Sequence, residues 1–130
     1  MSNIAIVIPT YKEKDNIFKL NNKILKIHPK TIIYVIDDTK DENLKKYFKN
    51  KKIKYFLKKN QKGRGSAVLY GLKKSLKNTT SKIFIEMDAD FSHDPKELKS
   101  KILFFKKRNL DLLISSRYLK KSKIINWSLQ

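Results

Sequence analysis

Ile4-Ala5-Ile6-Val7-Ile8-Pro9, and further along Thr31-Ile32-Ile33-Tyr34-Val35-Ile36 with Asp37-Asp38 behind it, are the stretches that decide the fold. Ile4 to Ile8 and Ile32 to Ile36 are apolar without interruption. Strands covered on both faces, as in a parallel sheet, read this way instead of alternating. Pro9 has no N–H to give a ladder and is expected to close the first strand. Between the two runs, Lys14 to Ile27 carries Ile17, Leu20, Ile24 and Ile27, spaced by three and four. That spacing predicts a helix packing one face, ended by His28-Pro29.

The alternation continues. Asp41 to Asn50 is a short helical candidate, and in Ile53 to Leu57 the residues Ile53, Tyr55 and Leu57 alternate as a third, weaker strand. Gly63 to Lys77 reads as a loop entering a helix. Lys82 to Met87 is a fourth strand, ending in Asp88-Ala89-Asp90. Asp94-Pro95 supplies an N-cap and a proline at the first helical position, for a helix running to about Arg108 on Leu98, Ile102 and Phe105. Leu110 to Ser115 reads as a fifth strand. The expectation is an α/β fold, a mostly parallel sheet with helices on both faces, within one domain over 1–130. Ligands of such sheets bind beyond the carboxyl ends of the strands. The polar clusters lie there: Thr10-Tyr11-Lys12-Glu13, Asp37-Asp38, Asp88-Ala89-Asp90 and Ser116-Arg117-Tyr118.

Composition narrows the classes. At 130 residues and 40% hydrophobic, the chain buries a core without disulfides. It has no cysteine, so a disulfide framework and a thiolate metal site are both excluded, which suits the cytosol. The net charge is +19, yet of 31 basic residues only Arg64, Arg108 and Arg117 are arginine. Lysine spread evenly among Asn and Ile resembles the coding bias of an AT-rich genome more than a selected basic surface. Chains built to grip phosphate lean on arginine, whose planar fork binds it bidentately. The field still attracts anions in general. No apolar run approaches the roughly 20 residues of a membrane span, and no signal-peptide pattern opens the chain.

Asp88 and Asp90, one residue apart at the end of a buried strand, repel unless a cation lies between them. A hard oxygen site with few protein ligands suits Mg²⁺ or Mn²⁺, completed by water and substrate phosphates. A solvated turn is the plainer alternative; the apolar strand before the pair and the three other clusters favour the metal. Asp38 reads as a ligand contact, whereas Asp37 reads equally as a contact or a turn opener. Lys62-Gly63-Arg64-Gly65-Ser66 offers either a phosphate contact before a helix N-terminus or a flexible turn. Arg117 offers either a phosphate clamp or a surface arginine. His28 and His93 are not spaced as a metal pair. No G-x-S-x-G, H-E-x-x-H or cysteine nucleophile supports a hydrolase.

Taken in order, these motifs resemble glycosyltransferase family 2, in particular its dolichol-phosphate (polyprenol-phosphate) mannosyltransferase branch. Pro9-Thr10-Tyr11-Lys12-Glu13 is similar to P-T-Y-N-E, and Ile36-Asp37-Asp38 to the acidic end of the second strand. Gly63-Arg64-Gly65-Ser66-Ala67 with Gly71 is similar to G-L-G-x-A-…-G. Met87 to Pro95 is close to M-D-A-D-L-S-H-x-P, and Ser116-Arg117-Tyr118 with Trp127-Ser128-Leu129 resembles G-[ST]-R-Y and W-S-L. Lys12, Arg64 and Ser115 depart from the motifs' Asn, Leu and Gly, and the loop after Asp38 is short.

The resemblance implies a GT-A, Rossmann-like fold and inverting, metal-dependent transfer of a hexose, mannose foremost, from a GDP-sugar to a polyprenyl or dolichyl phosphate. Pro9, Tyr11, Glu13, Ile36 and Asp38 would then hold the nucleoside. Asp88, Ala89 and Asp90 would meet diphosphate and metal (Mg²⁺ or Mn²⁺ on Asp88 and Asp90), and Arg117 would pair with phosphate. An acceptor phosphate is already anionic, so no general base is expected. The expected setting is the cytoplasm, peripheral at the cytoplasmic membrane face, with a membrane surface or membrane protein as further partner. Family members continue well past the length of this chain, so 1–130 is expected to be an incomplete, donor-binding domain. The alternatives are a family 2 enzyme using a UDP-sugar, an inactive donor-binding remnant, and a basic nucleic-acid-binding module. The last has no RNA-binding motif in its favour.

Overall fold

Parallel pairing without intervening hairpins organises the chain. The computed structural model describes residues 3–40, 44–60, 63–78 and 80–121. Two compact units divide it, Met1–Lys96 and Glu97–Gln130. The first holds β1 (Ile4–Thr10), α1 (Lys14–Ile27), β2 (Ile32–Asp37), β3 (Ile53–Leu57), α2 (Arg64–Asn78) and β4 (Ile83–Glu86). All pairings are parallel, in the order β3-β2-β1-β4.

That order is the expected α/β, Rossmann-like architecture, and it contains a reversal. From β1 to β3 the chain steps one way across the sheet, then crosses back over β2 and β1 to lay β4 on the far side. Right-handed crossovers therefore place α1 and α2 on opposite faces. The α2 face is a core of Ala5, Val7, Tyr34, Ile36 and Ala67 with Phe56 and Tyr70 against it. Gly71 lets α2 approach: a Cβ there would lie 2.4 Å from Val7 Cγ1 and 2.9 Å from Ile36 Cγ1. On the other face Ile6, Ile8, Ile33 and Val35 are fully buried. The stripe Ile17, Leu20 and Ile24 of α1 is buried too, each side chain contributing about 1.5–3 kcal/mol.

Pro9 does not close β1, which runs on to Thr10 in register with Asp37 of β2. Parallel strands bond to alternate sides, and Val7 faces β4, accepting from Met87 N–H at 3.1 Å. Pro9, two residues on, faces the same side, where β4 has already ended. The missing N–H thus interrupts no ladder. It marks where β1 and β4 part.

Elsewhere the expectation is adjusted at its edges. The 41–50 candidate is reduced to a 3₁₀ turn at Leu44–Tyr47; residues 41–43 lie outside the described residues. Asp94 accepts Lys96 N–H at 3.0 Å, and Pro95–Glu97 forms a 3₁₀ turn. The second unit then contains α3 (Leu98–Lys107), which buries Leu98 and Ile102. The fifth strand is not there: residues 110–116 are irregular, with Leu112 and Ile114 exposed. Their apolar pattern suits a strand, but a strand exists only where a neighbour takes its hydrogen bonds, and among the described residues none does.

Candidate functional site

The parting of β1 and β4 opens a cleft of about 500 Å³ at the carboxyl ends of the strands, the switch point where open α/β sheets bind ligands. Pro9, Thr10, Tyr11 and Glu13 line it from the end of β1, Asp38 from β2, Gly63 and Arg64 from the start of α2, and Asp88-Ala89-Asp90 from β4. Three of the four clusters singled out in the sequence therefore meet in one place.

Each wall has a local cause. After Thr10 the chain turns through Lys12 at φ 53°, and Lys12 N–H donates to Thr39 Oγ1 at 2.8 Å. Glu13 takes the N-cap position of α1, where its backbone oxygen accepts Ile17 N–H at 2.9 Å. Its Oε2 accepts the Asn16 amide at 2.8 Å. Tyr11 is left projecting and half exposed.

Asp37 and Asp38, which the sequence separates only partly, have different jobs. Asp37 is buried; its Oδ1 accepts Thr39 N–H at 2.8 Å and its Oδ2 accepts the Tyr55 hydroxyl at 2.7 Å. It shapes the turn. Asp38 lines the cleft with both oxygens bonded, Oδ1 to Lys58 Nζ at 3.2 Å and Oδ2 to Gly63 N–H at 3.0 Å. Gly63 at φ 124° occupies backbone space that side chains rarely adopt. Asp38 thus tethers the start of α2 to the end of β2.

The acidic turn is equally specific. Arg64 Nε donates to Asp88 Oδ1 at 2.8 Å, and its Nη2 pairs with Glu86. Burial works against the Arg64 charge, but the hydrogen bond to Asp88 and the charges of Glu86 and Asp88 outweigh it and raise the guanidinium pKa. Asp88 N–H donates to His93 Nδ1 at 3.2 Å, and His93 Nε2 lies 3.9 Å from Asp88 Oδ2. Phe91 turns the chain at φ 63° so that Ser92 N–H reaches Asp90 Oδ1 at 3.0 Å. For Asp90, burial pushes the carboxyl up, but the Ser92 hydrogen bonds and nearby His93 prevail and hold it below the ordinary carboxylate range.

Two expected residues are not among those that line the cleft. Ile36 is fully buried under α2, because its place in β2 turns its side chain to that face. Arg117 belongs to the second unit, in a turn that follows the irregular stretch, while the cleft is built from the first. Sequence reasoning missed the pairing of Arg64 with Asp88 and that of Lys58 with Asp38. The scarcity of arginine, which drew notice to Arg117, applies equally to Arg64. One lysine among so many carries no comparable signal.

Residues 5–130 match the model of Glycosyl transferase family 2. The chain belongs to that family. Among family 2 relatives, it is 32% identical over 130 residues to a dolichol-phosphate mannosyltransferase of Pyrococcus furiosus, covering 95% of this chain and 36% of the relative. It is 30% identical over 128 residues to a polyprenol monophosphomannose synthase of Mycolicibacterium smegmatis, covering 94% and 48%. An undecaprenyl-phosphate mannosyltransferase of Micrococcus luteus is 26% identical over 129 residues, covering 95% and 52%. The chain thus spans about a third to a half of these relatives' length. The cleft lies within the stretch matched to family 2.

Proposed function

We propose that this chain is the donor-binding part of a polyprenyl-phosphate mannosyltransferase, moving mannose from GDP-mannose to a polyprenyl or dolichyl phosphate. The observation that carries it is the meeting of Pro9, Tyr11, Glu13 and Asp38 with Asp88-Ala89-Asp90 in one cleft at the sheet's switch point. The relatives' polyprenyl-phosphate and mannosyltransferase names support the acceptor class and the sugar.

In this reading the half-exposed Tyr11 and the edge formed by Pro9, Glu13 and Asp38 take the nucleoside. The diphosphate meets Asp88, Ala89 and Asp90 at the end of β4, beside Arg64. The carboxylates of Asp88 and Asp90 fit Mg²⁺ or Mn²⁺: both are hard oxygen donors. No group of three His, Cys, Asp or Glu residues among the described residues could hold a metal alone, so phosphate oxygens and water would complete the shell. Bound there, the ion would neutralise charge on the departing diphosphate. An acceptor phosphate oxygen attacks the anomeric carbon, the bond to the diphosphate oxygen breaks in line, and the configuration inverts. The acceptor needs no deprotonation, so the chain supplies position and electrostatics.

Among the described residues no helix is long and apolar enough to cross a membrane. The charge of +19 and a lipid phosphate acceptor support work at the cytoplasmic face of an anionic membrane, reached from the surface or through a membrane-protein partner.

Calorimetric titration tests the donor. With Mn²⁺ present, GDP-mannose should bind and UDP-glucose should bind at least about tenfold more weakly, a difference of roughly 1.4 kcal/mol. Asp90→Ala should abolish metal-dependent binding. Full affinity in that variant would remove the acidic turn from the site.

A further inference from the structure

Asp88 already has a cation. The Arg64 guanidinium holds its Oδ1 at 2.8 Å and reaches Glu86 with its other end. A divalent ion that uses Asp88 Oδ1 needs the same lone pairs, and two cations at one oxygen repel. An ion that takes Asp88 Oδ1 therefore competes with the guanidinium for it. The guanidinium has freedom to leave, because the Arg64 side chain is 54% exposed and its rotation disturbs no core packing. It also has a destination. Arg64 lines the cleft, and a guanidinium fork binds phosphate oxygens bidentately. The position is one where the resembled motif carries Leu, so nothing in backbone geometry demands an arginine.

We propose that Arg64 is a built-in counter-ion of the acidic turn, which occupies Asp88 until a nucleotide diphosphate enters and then transfers to that diphosphate. Uptake of a divalent cation at Asp88 thereby becomes dependent on the nucleotide. The proposal rests on the donor-site reading of the cleft and adds a positioning residue to it. It explains why a chain with so few arginines places one at the first residue of α2. Without such a counter-ion, Glu86 and Asp88, both within reach of the same guanidinium, would repel each other. With it, part of that negative charge is offset at Asp88, and the nucleotide frees Asp88 for a metal.

The test is Mn²⁺ binding followed by electron paramagnetic resonance, with calorimetric GDP titration in parallel, on the full chain and on Arg64→Leu and Arg64→Lys. Without nucleotide, Arg64→Leu should bind Mn²⁺ about tenfold more tightly than the parent, while its metal-free affinity for GDP falls about tenfold. Arg64→Lys, which keeps the charge, should bind Mn²⁺ as the parent does. A merely structural arginine would not move the two affinities in opposite directions. Unchanged or weaker Mn²⁺ binding in Arg64→Leu, with GDP still bound by the parent, overturns the proposal and leaves the donor site intact. Arg64→Lys behaving like Arg64→Leu overturns it too, because charge would then not be the cause. Failure of the parent to bind GDP with or without Mn²⁺ overturns the donor reading and the proposal together.

Discussion

Lys58 and Asp38 form an ion pair whose side chains are only 6% and 8% exposed. A pair this buried gains little over apolar packing, but removing one partner strands the other. Lys58→Met leaves the Asp38 carboxylate facing the Gly63 N–H without its cation, and a loss of about 3 kcal/mol is expected in urea unfolding. Adding Asp38→Asn to that variant should recover much of the loss, since no uncompensated charge then remains. A Lys58→Met chain as stable as the parent would show that water reaches the pair. At this scale the sequence was only partly legible. Asp37 and Asp38 look alike beside each other at a strand end, and their roles diverge because Tyr55, Lys58 and Gly63 arrive from distant segments. That Asp88 and Asp90 line the cleft was legible, because they follow the carboxyl end of a strand, where parallel sheets bind ligands. That Arg64 pairs with Asp88 follows from tertiary placement, which spacing does not encode.

The elements themselves were more legible: β1 and β2 are short uninterrupted apolar runs, and α1 repeats its apolar residues by three and four. Pro9 shows the boundary of such reasoning: it removes an N–H, but which neighbour loses it depends on the strand order. Residues 110–115 show another, since apolar pattern describes a strand's faces and says nothing of its partners. Gly71 tests the packing of α2 on the sheet. Alanine would favour an isolated helix by about 1 kcal/mol. Its Cβ, however, would meet Val7 Cγ1 at 2.4 Å and Ile36 Cγ1 at 2.9 Å. Val7 is β-branched and stiff, and β1 and β2 are each paired on both sides, so neither can recede. Overpacking of this kind costs about 1–3 kcal/mol, and with contacts this short the upper end applies, so Gly71→Ala should be net destabilised by up to about 2 kcal/mol. A melting temperature at or above the parent's would mean that α2 rides higher on the sheet.

For the whole molecule, strand-helix alternation predicts a cleft at the carboxyl ends of the strands, and the cleft lies there. What alternation left open was the order of strands, and hence that β1 and β4, not β1 and β2, open the cleft. Charge is the other property of the whole. A net +19 over 130 residues makes the compact state repel itself. The described ion pairs oppose this only locally; exposed ones such as Lys101–Glu97 contribute about 0–1 kcal/mol each. Repulsion among many lysines acts over longer distances than these contacts, so it is screened first. Raising sodium chloride from about 0.01 to 0.15 M shortens the screening length from about 30 to 8 Å. The melting temperature should therefore rise by several degrees over that range, each 1 kcal/mol being roughly 4–8 °C for a domain near this size. Chloride is the right anion for the test, because phosphate or sulfate would also occupy an anion site in the cleft and stabilise by binding. A melting temperature that falls with sodium chloride would mean that short-range pairs, not the lysine field, govern the stability of this chain.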